Sequence, residues 1–412
     1  MLPHVPQPQP SPPTPALAIT AYTATTALGR GRDAQASALR DRRGGLRRND
    51  FGDGAVGDQR LDCWIGRVDG LEDAALPAEH ARWECRNNRL AWLALQQDGM
   101  AARVADLCTR YRPERVAVVL GTSTASIGAT EEAYARLTPD GAFPPDLDRP
   151  IVHTVHSLGH FVQHVTGLRG PCATVATACS SSAKVFAQAA RLIGAGFVDA
   201  ALVGGVDTLC GSVLFGFNSL GLVSSAPCRP FDAGRDGLSL GEAGGFAIVE
   251  RAGPGHAGLR LCGHGESSDA HHMSTPHPEG LGAQMAMQAA LARAGIDAAD
   301  VGYLNLHGTA TPANDAVEAR AVAALFPDTL HASSTKGWTG HTLGAAGIVE
   351  SVFALIALED GLLPGTLNSH APDPACGAQI RFDNAPSGTL RYAMNNSFGF
   401  GGNNCSLVFG RA

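Results

Sequence analysis

Several features that mark whole classes of protein are missing from this sequence or scarce in it. Its 412 residues carry 31 Lys and Arg against 38 Asp and Glu, and the net charge of -7 gives no positive field for binding nucleic acid. The 10 cysteines are too sparse for a disulfide framework and never occur as C-x-x-C, so we expect reduced thiols in a cytoplasmic protein. The apolar run Val352–Leu358 is far shorter than the roughly 20 residues that cross a bilayer, so we predict no membrane span.

The N-terminal segment 1–15 also lacks the basic and apolar parts of a secretory signal. Because seven of these residues are proline, we predict an extended, disordered segment. From Ala16 onward, short β-rich runs bounded by glycine alternate with alanine-rich helical runs. With 44% hydrophobic residues and 50 glycines, this alternation is typical of a compact enzyme with a layered α/β fold.

Both parts of the chain repeat one order of elements: strand, helix, strand, helix, strand, then an antiparallel pair. We therefore predict two similar halves, residues 16–250 and 251–412. The predicted strands are Leu17–Tyr22, Val116–Gly121, Cys172–Ala178, Ala200–Val206, Gly245–Glu250, Leu259–Gly263, Gly302–Leu306, Leu330–Ser333, Arg391–Ser397 and Asn404–Gly410. The clearest helices are Ala183–Gly194, Leu281–Ala294, Ala313–Leu325 and His341–Asp360. The last of these is apolar on nearly every face, so we expect it to be buried between layers.

One cysteine lies where the chemistry of a nucleophile is expected. Cys179 follows the apolar run CATVATA and precedes SSSAKVFAQAARLI, which predicts a helix that begins just after it. Free backbone N–H groups and the positive end of the helix dipole stabilise a thiolate at that position. The sharp turn also directs the N–H of Cys179 at any oxyanion formed there, and its neighbours are small. We therefore interpret Cys179 as a nucleophile rather than a buried structural cysteine.

Two histidines occur in similar surroundings. His307, in YLNLHGTATPANDAVEA, ends an apolar strand before a loop and a new helix, and His341 lies in the strand–loop–helix unit STKGWTGHTLGAAG. An open α/β sheet collects side chains from the carboxyl ends of its strands in one crevice. We therefore predict that Cys179, His307 and His341 meet there.

Four ordered blocks, TACSSSAK, LNLHGTATPANDAVEA, STKGWTGHTLGAAG and NNSFGFGGNN, resemble the β-ketoacyl-acyl carrier protein synthases of the elongating type, in the thiolase superfamily. The resemblance runs from about Ala16 to the end of the chain. It implies the thiolase fold, a duplicated five-layered αβαβα architecture, with a dimer built across the sheet. It also implies that Cys179 accepts an acyl group, while His307 and His341 stabilise the enolate formed when a malonyl thioester loses carbon dioxide.

The resemblance extends to residues around these three. Lys336 and Glu350 match the family's Lys–Glu pair, for which we expect electrostatic support and positioning, with a purely structural ion pair as an equal alternative. Phe400 resembles the gate over the nucleophile; its N–H would be the second oxyanion donor, and the glycines around it permit motion. Thr309 and Thr311 resemble the residues that bind the phosphopantetheine arm of the carrier.

Three positions depart from the usual pattern of the family. Thr124, in GTSTASIG, stands where some relatives place a larger aliphatic residue against the acyl tail, so we predict that it binds substrate in a roomier pocket. Trp338 replaces a smaller or flexible residue, and Asn403 replaces the usual Thr. These departures concern acyl specificity rather than the reaction, and they are compatible with a specialised pathway.

Two further segments admit more than one interpretation. Arginines on one predicted helical face could receive the acidic carrier protein or simply face solvent: Arg82, Arg86 and Arg89. Histidines at steps of three and four residues suggest a metal site, but the run has no cysteine or acidic ligand, so we favour capping, pocket-lining or interface roles: His153, His156, His160 and His164. We predict no metal.

The sequence as a whole predicts an acyltransferase that performs a decarboxylative Claisen condensation, in fatty acid synthesis or in a specialised polyene or polyketide pathway of the aryl-polyene kind. We expect no cofactor, because the substrates arrive on the phosphopantetheine of acyl carrier protein. The expected partners are that carrier and a second subunit, either an identical copy or a related ketosynthase-like chain. One alternative is a non-catalytic chain-length subunit, which would lack the nucleophile. Another is a thiolase, which would need a second cysteine, for which Cys405 is the only late candidate.

Overall fold

The computed structural model describes residues 16–52, 60–253 and 255–411, so the segment 1–15 that we predicted to be disordered lies outside the described residues. Ten strands build the central sheet: β1 Leu17–Thr26, β2 Val116–Gly121, β3 Cys172–Val175, β4 Ala200–Asp207, β5 Ala243–Arg251, β6 Leu259–Ser268, β7 Val301–Asn305, β8 His331–Ser333, β9 Tyr392–Gly399 and β10 Asn403–Arg411. The short strand Gly29–Arg30 pairs with the end of β1. Smaller sheets are formed by Leu46–Arg48, Trp64–Gly66 and Leu240–Gly241, and by Leu362–Leu363 with Ala385–Pro386.

The two halves of the chain share one strand topology. The first five strands pair in the order β3-β2-β4-β5-β1, and the last five pair in the order β8-β7-β9-β10-β6, so each half has its own third, second, fourth, fifth and first strand side by side. In both halves the third, second and fourth strands are parallel and the remaining pairs are antiparallel. The halves join where β1 meets β6, through the pairs Leu17 with Leu261 and Ala18 with Arg260.

Helices pack between and outside the two halves of the sheet. The α-helices of the described residues are α1 Arg32–Arg40, α2 Arg86–Leu95, α3 Met100–Arg110, α4 Ile127–Ala135, α5 Ser157–Thr166, α6 Ser181–Gly194, α7 Gly211–Ser219, α8 Leu281–Ala294, α9 Pro312–Leu325, α10 Lys336–Thr339 and α11 Ala346–Asp360. Helices α6 and α11 contact strands of both halves and each other, whereas α2, α3 and α5 cover the first half and α8 covers the second, with α9 against it. This arrangement confirms the duplicated αβαβα fold class.

The central helix α11 is buried along nearly its whole length, from Ala346 to Leu358, as its apolar pattern predicted. It packs so closely on α6 that a Cβ on Gly347 would lie 2.3 Å from the backbone nitrogen of Ala183. The predicted start of this helix at His341 is wrong, because Leu343 adopts a left-handed φ of 57° and the chain forms a loop and a 3-10 turn first. That loop holds His341 outside the helix.

The structure shows the state of the cysteines and the length of the apolar helices. All 10 cysteines are free. Within residues 16–52, 60–253 and 255–411, no helix combines the length and apolar character that crossing a membrane requires.

Candidate active site

Three side chains meet in a crevice at the carboxyl ends of the strands. Cys179 follows β3, His307 follows β7 and His341 follows β8. Their sulfur and ring nitrogen atoms all lie within 4.8 Å of one another, and each side chain is buried. The two imidazole rings are 5.4 Å apart between centroids and almost perpendicular, at 86°. The structure therefore brings together the three residues that the sequence singled out.

Cys179 lies in a 3-10 turn, Ala178–Ser180, directly before α6. Ala178 has a left-handed φ of 52°, which makes the turn sharp and directs the sulfur into the crevice. Burial raises the pKa of the Cys179 thiol to about 11, although Lys336 and the N–H of Phe400 act in the opposite direction. Stabilisation of the thiolate by the helix N-terminus stays a prediction; in the resting protein, desolvation of the charged sulfur keeps the thiol protonated.

The sulfur of Cys179 has an imidazole partner. Its Sγ lies 3.0 Å from Nε2 of His341, within hydrogen-bond distance. Nδ1 of His341 is buried without a partner among the described residues, so the tautomer that places the hydrogen on Nε2 leaves no buried donor unpaired. His341 in this form donates to the sulfur and stabilises negative charge on it.

Backbone N–H groups beside the sulfur can hold an oxyanion. The N–H of Phe400 points at the sulfur of Cys179 and lowers the pKa of the thiol. Gly399 makes this approach possible, because a Cβ there would lie 2.8 Å from the carbonyl oxygen of Thr177 and 3.2 Å from the nitrogen of Cys179. The ring of Phe400 stacks on that of Phe217 at 5.6 Å, and both residues line the cavity that contains Cys179.

The ring of His307 is oriented by Lys336. The Lys336 ammonium lies 3.4 Å from Nδ1 of His307 and also donates to the His307 carbonyl and to Glu350. Because an ammonium can only donate, Nδ1 must be an acceptor, and the ring hydrogen is on Nε2. Burial, followed by the charge of Lys336, holds the pKa of His307 and of His341 well below the ordinary value. Both rings are therefore neutral at physiological pH.

Two buried carboxyl groups support these rings. Glu350 pairs with Lys336, and burial raises the pKa of Glu350 to about 7. Glu318, in α9, accepts hydrogen bonds from the backbone N–H groups of His307 and Gly308, at 2.8 and 2.7 Å. Burial likewise raises the pKa of Glu318 to about 7, against the effect of these two donors. Lys336 thus binds the carbonyl of His307, and Glu318 binds the backbone N–H groups of His307 and Gly308.

The crevice opens into a cavity of about 360 Å³. Cys179, His307 and His341 line it together with Thr309, whose hydroxyl lies 2.8 Å from that of Thr311. Thr311, Phe217, Phe398 and Phe400 also line this cavity. A larger cavity of about 680 Å³ lies elsewhere and contains none of the three central residues, so size does not identify the reactive site.

The structure does not place Thr124 in either cavity. Its backbone N–H and its hydroxyl both donate to Oδ1 of Asp207, at 2.9 and 2.7 Å. The prediction that Thr124 binds the acyl tail is therefore not supported by the fold, because its polar atoms are committed to a carboxylate. No local pattern indicates this partner, which lies 83 residues away in the sequence.

The proposed arginine patch does not form. Arg82 belongs to the 3-10 turn Ala78–Trp83, and two extended residues separate it from α2, which carries Arg86 and Arg89. Arg86 forms ion pairs with Glu72 and the fully buried Glu242, and Arg89 pairs with Glu84. The prediction of a shared helical face is wrong because Arg82 lies outside α2, and the charges of Arg86 and Arg89 are already paired with carboxylates.

The four histidines of the run 153–164 do not share one helix either. Helix α5 begins at Ser157, so His153 and His156 precede it and only His160 and His164 lie within it. Both ring nitrogens of His153 already have partners, the hydroxyl of Thr130 at 2.9 Å and the carbonyl of Leu147 at 2.7 Å. In the described part of the chain, the one cluster of three or more His, Cys, Asp or Glu side chains with metal-binding spacing is Cys179 with His307 and His341.

Sequence reasoning missed three residues around the site: Asp207, Glu318 and Phe217. Asp207 ends the apolar strand β4, so the rule that selected Cys179 and His307 would have found it had it been applied to carboxylates. Glu318 lies 11 residues after His307 and is recognisable only once α9 is folded back on its own loop. Phe217 carries no local signal.

Comparison with known proteins places this geometry in a family. Residues 16–254 match the profile of the β-ketoacyl synthase N-terminal domain, and residues 260–370 match that of the C-terminal domain. Among curated proteins, a Staphylococcus aureus 3-oxoacyl-[acyl-carrier-protein] synthase 2 is 37% identical over 257 residues, which cover 59% of this chain and 64% of that protein. A mitochondrial 3-oxoacyl-[acyl-carrier-protein] synthase of Arabidopsis thaliana is 40% identical, over 59% of this chain and 57% of the relative. The match thus spans less than two thirds of the length of these relatives.

Solved structures match over nearly the full chain. A complex of the ketosynthase ApeO with its chain length factor ApeC from Xenorhabdus doucetiae has a TM-score of 0.87 at 35% identity, over 97% of this chain and 98% of that chain. A β-ketoacyl synthase from Burkholderia phymatum has a TM-score of 0.84 at 29% identity, over 97% and 100%. The order of the elements, the Cys-His-His crevice and these matches show that the chain belongs to the β-ketoacyl synthase family.

Proposed function

We propose that this protein is a β-ketoacyl-[acyl carrier protein] synthase, an acyltransferase that joins an enzyme-bound acyl group to a malonyl thioester with loss of carbon dioxide. The observation that carries the proposal is the contact between the Cys179 sulfur and His341, with the second neutral imidazole of His307 facing the same atoms. The names of the curated relatives agree with this reaction.

In the first half-reaction, Cys179 takes the acyl group from its carrier. The sulfur, stabilised by the N–H on Nε2 of His341, attacks the thioester carbonyl of the acyl carrier. The backbone N–H groups of Cys179 and Phe400 stabilise the tetrahedral oxyanion. The carbon–sulfur bond to the carrier then breaks, and the proton released by the Cys179 thiol ends on the departing carrier thiol.

In the second half-reaction, the two imidazoles act on the malonyl carrier. Its thioester oxygen accepts hydrogen bonds from Nε2 of His307 and of His341, so the bond to the carboxylate can break and the electron pair remains as an enolate. Carbon dioxide leaves, and the enolate carbon attacks the thioester carbonyl on Cys179. The tetrahedral intermediate expels the Cys179 thiolate, which takes up a proton from water, and the product stays on the carrier.

The same three side chains could in principle hold a metal ion, but their surroundings favour hydrogen-bond donation. A metal requires a lone pair on Nε2 of His307, whereas the Lys336 ammonium on Nδ1 places a hydrogen there. The positive charge of Lys336 also opposes a second cation nearby. Cofactor-free chemistry therefore suits this site best.

Thr309 and Thr311 support the proposal that the substrate arrives on a carrier arm. Both hydroxyls line the cavity directly beyond His307, where they can bind the amide groups of phosphopantetheine. Because Arg86 and Arg89 are neutralised, we do not retain the arginine patch as the docking site for the carrier protein. The free state of all 10 cysteines supports a reducing compartment such as the cytoplasm.

We propose a specialised polyene or polyketide pathway and a dimer, either of identical chains or with a related ketosynthase-like subunit. The full-length similarity to the ApeO–ApeC complex supports a heterodimer. A surface for a partner is suggested by β3, the terminal strand of the sheet, and by large exposed apolar side chains: Ile127, Tyr134, Leu137, Ile151, Val155 and Phe215. Light scattering of the chain alone and with a candidate subunit would distinguish the two assemblies.

Mass spectrometry of the intact protein tests the reaction. Incubation with acyl carriers of graded chain length should produce adducts on Cys179, and addition of malonyl carrier should release carbon dioxide and clear them. Cys179→Ala should form no adduct, and His307→Ala should load the acyl group but release little carbon dioxide. Cys85→Ala, which removes another buried thiol, is the matched control and should behave like the wild type. A wild-type chain that neither loads nor decarboxylates, alone or with a candidate ketosynthase-like subunit, would refute the proposed activity.

A further inference from the structure

Asp207 is a buried carboxylate without a counterion. It ends β4 and is fully buried. No Lys, Arg or His in residues 16–52, 60–253 or 255–411 forms an ion pair with it, and Lys336, which like Asp207 acts on the Cys179 thiol, is paired with Glu350. A buried, unpaired carboxylate is costly unless hydrogen-bond donors surround it. The question is therefore what those donors are.

All the donors come from two segments of the chain. In the loop after β2, Thr122 donates its hydroxyl, and Ser123 and Thr124 each donate a hydroxyl and a backbone N–H, at distances from 2.6 to 3.0 Å. From the second half of the chain, the backbone N–H of Gly344 donates to Oδ2 at 2.6 Å. Asp207 therefore cross-links the two halves through one carboxylate.

The link to Gly344 bears directly on the site. Gly344 is three residues after His341, in the loop that precedes α11. A Cβ at this position would lie 2.6 Å from Oδ2 of Asp207 and 2.6 Å from the nitrogen of Ser123, so only glycine permits the contact. The left-handed turn at Leu343 lies between the anchor and the imidazole. The position of His341 against Cys179 is thus fixed at one end by Asp207.

We infer that Asp207 is a positioning residue: its carboxylate anchors the 341–344 loop to the first half of the chain and thereby holds Nε2 of His341 against the sulfur of Cys179. The expected effect on malonyl decarboxylation rests on the proposed function. The contact between His341 and the sulfur of Cys179 can be tested without substrate. Asp207 touches no reacting atom; its positioning effect acts through His341, and its charge separately raises the pKa of the Cys179 thiol.

The test is a double-mutant cycle of Asp207→Asn and His341→Ala. Asn at 207 keeps the shape but turns an NH₂ group toward N–H and hydroxyl donors, so the loop should lose its anchor. We expect malonyl decarboxylation to fall about tenfold or more in Asp207→Asn, from misplacement of one donor. In the His341→Ala background the same change should alter the rate less than about twofold. Equal fold-losses in both backgrounds would overturn the role.

Alkylation of Cys179 by iodoacetamide supplies the second measurement and needs no carrier substrate. Asp207→Asn removes a negative charge, which by itself favours the thiolate and would speed alkylation. Slower alkylation in this variant, with no further slowing in the double variant relative to His341→Ala, is the result expected if the His341 contact is lost. Faster or unchanged alkylation would refute the inference whether or not the protein is a synthase, whereas absent decarboxylation by the wild type would refute only the proposed function.

Two further variants guard against misfolding and against a merely structural effect. Thr124→Val removes one donor to Asp207 with almost no change in shape and should reproduce the loss in weaker form. Asp232→Asn is the matched control, because Asp232 is also buried and accepts backbone N–H groups of Gly234, His370 and Ala371, away from His341. Asp232→Asn should lower the melting temperature but leave alkylation unchanged. If it slowed alkylation as much as Asp207→Asn did, the inference would fail.

Discussion

Substitution of Gly399 by alanine offers a direct test of the oxyanion hole. The added Cβ would lie 2.8 Å from the carbonyl oxygen of Thr177, whereas ordinary contacts begin near 3.4 Å. The end of β9 must therefore retreat by about 0.6 Å, and the N–H of Phe400, the next residue, moves with it. The φ of Gly399 is -106°, so the backbone itself accepts alanine and the effect comes from the contact.

The size of the effect follows from the role of that N–H. Removal of one oxyanion donor typically costs about 100-fold to 1,000-fold in rate, and a misplacement of about 1 Å can cost about 100-fold. A shift of about 0.6 Å should therefore slow acyl transfer to Cys179 by about tenfold or more, which corresponds to about 1.4 kcal/mol in the barrier.

The assay compares two reactions of the same sulfur. Acyl loading from a thioester passes through a tetrahedral oxyanion, whereas alkylation by iodoacetamide does not. Gly399→Ala should slow loading, measured by mass spectrometry, while alkylation stays within about threefold of the wild type. Gly216→Ala, in α7, is the control, since a Cβ there meets nothing within 4 Å. An equal slowing of loading and alkylation would show that the sulfur itself had been disturbed and would refute the assignment of Phe400.

Three further predictions concern buried charges. Arg86→Met should lower the free energy of unfolding by about 3–5 kcal/mol, because it leaves the buried Glu242 without its ion-pair partner. The KM for the carrier substrate should not change. A change in KM without destabilisation would show that Arg86 does bind the carrier protein. Lys336→Met should abolish malonyl decarboxylation more than acyl loading, measured by carbon dioxide release and by adduct mass, because Nδ1 of His307 loses the donor that fixes its tautomer. Glu318→Gln tests the pH dependence of stability. Folding raises the pKa of Glu318 from 4.5 to about 7, so the folded state binds the proton more tightly than the unfolded state. The free energy of unfolding that this proton contributes is fully present below pH 4.5 and is lost as the pH rises through 7. Between pH 5 and 7, urea titrations should show the free energy of unfolding of the variant rising relative to that of the wild type by up to about 1.4 kcal/mol per pH unit. Parallel plots of this free energy against pH for the two proteins would contradict the prediction.

Local patterns were sufficient for most of the fold. The strand Val116–Gly121 and the helix Leu281–Ala294 are observed at the predicted boundaries, because a continuous apolar run and a glycine-bounded alanine-rich run are unambiguous locally. The observed start of α11 lies five residues after the predicted one, since residues 341–345, HTLGA, contain no proline that would mark the start of the helix. Only the folded structure, in which Leu343 has a left-handed φ, distinguishes the 341–345 loop from helix α11.

The three side chains of the reactive centre can be selected from local sequence patterns. Cys179, His307 and His341 each lie in a segment that follows a strand, and parallel strands deliver their carboxyl ends to one edge of a sheet. The protonation states and partners of the buried groups, in contrast, depend on the folded structure. Burial keeps the Cys179 thiol protonated, carboxylates neutralise Arg86 and Arg89, and Asp207 links the two halves of the chain. The physical reason is that desolvation and hydrogen bonding depend on neighbours brought close by folding, often more than 80 residues away in the sequence, and no local spacing encodes them.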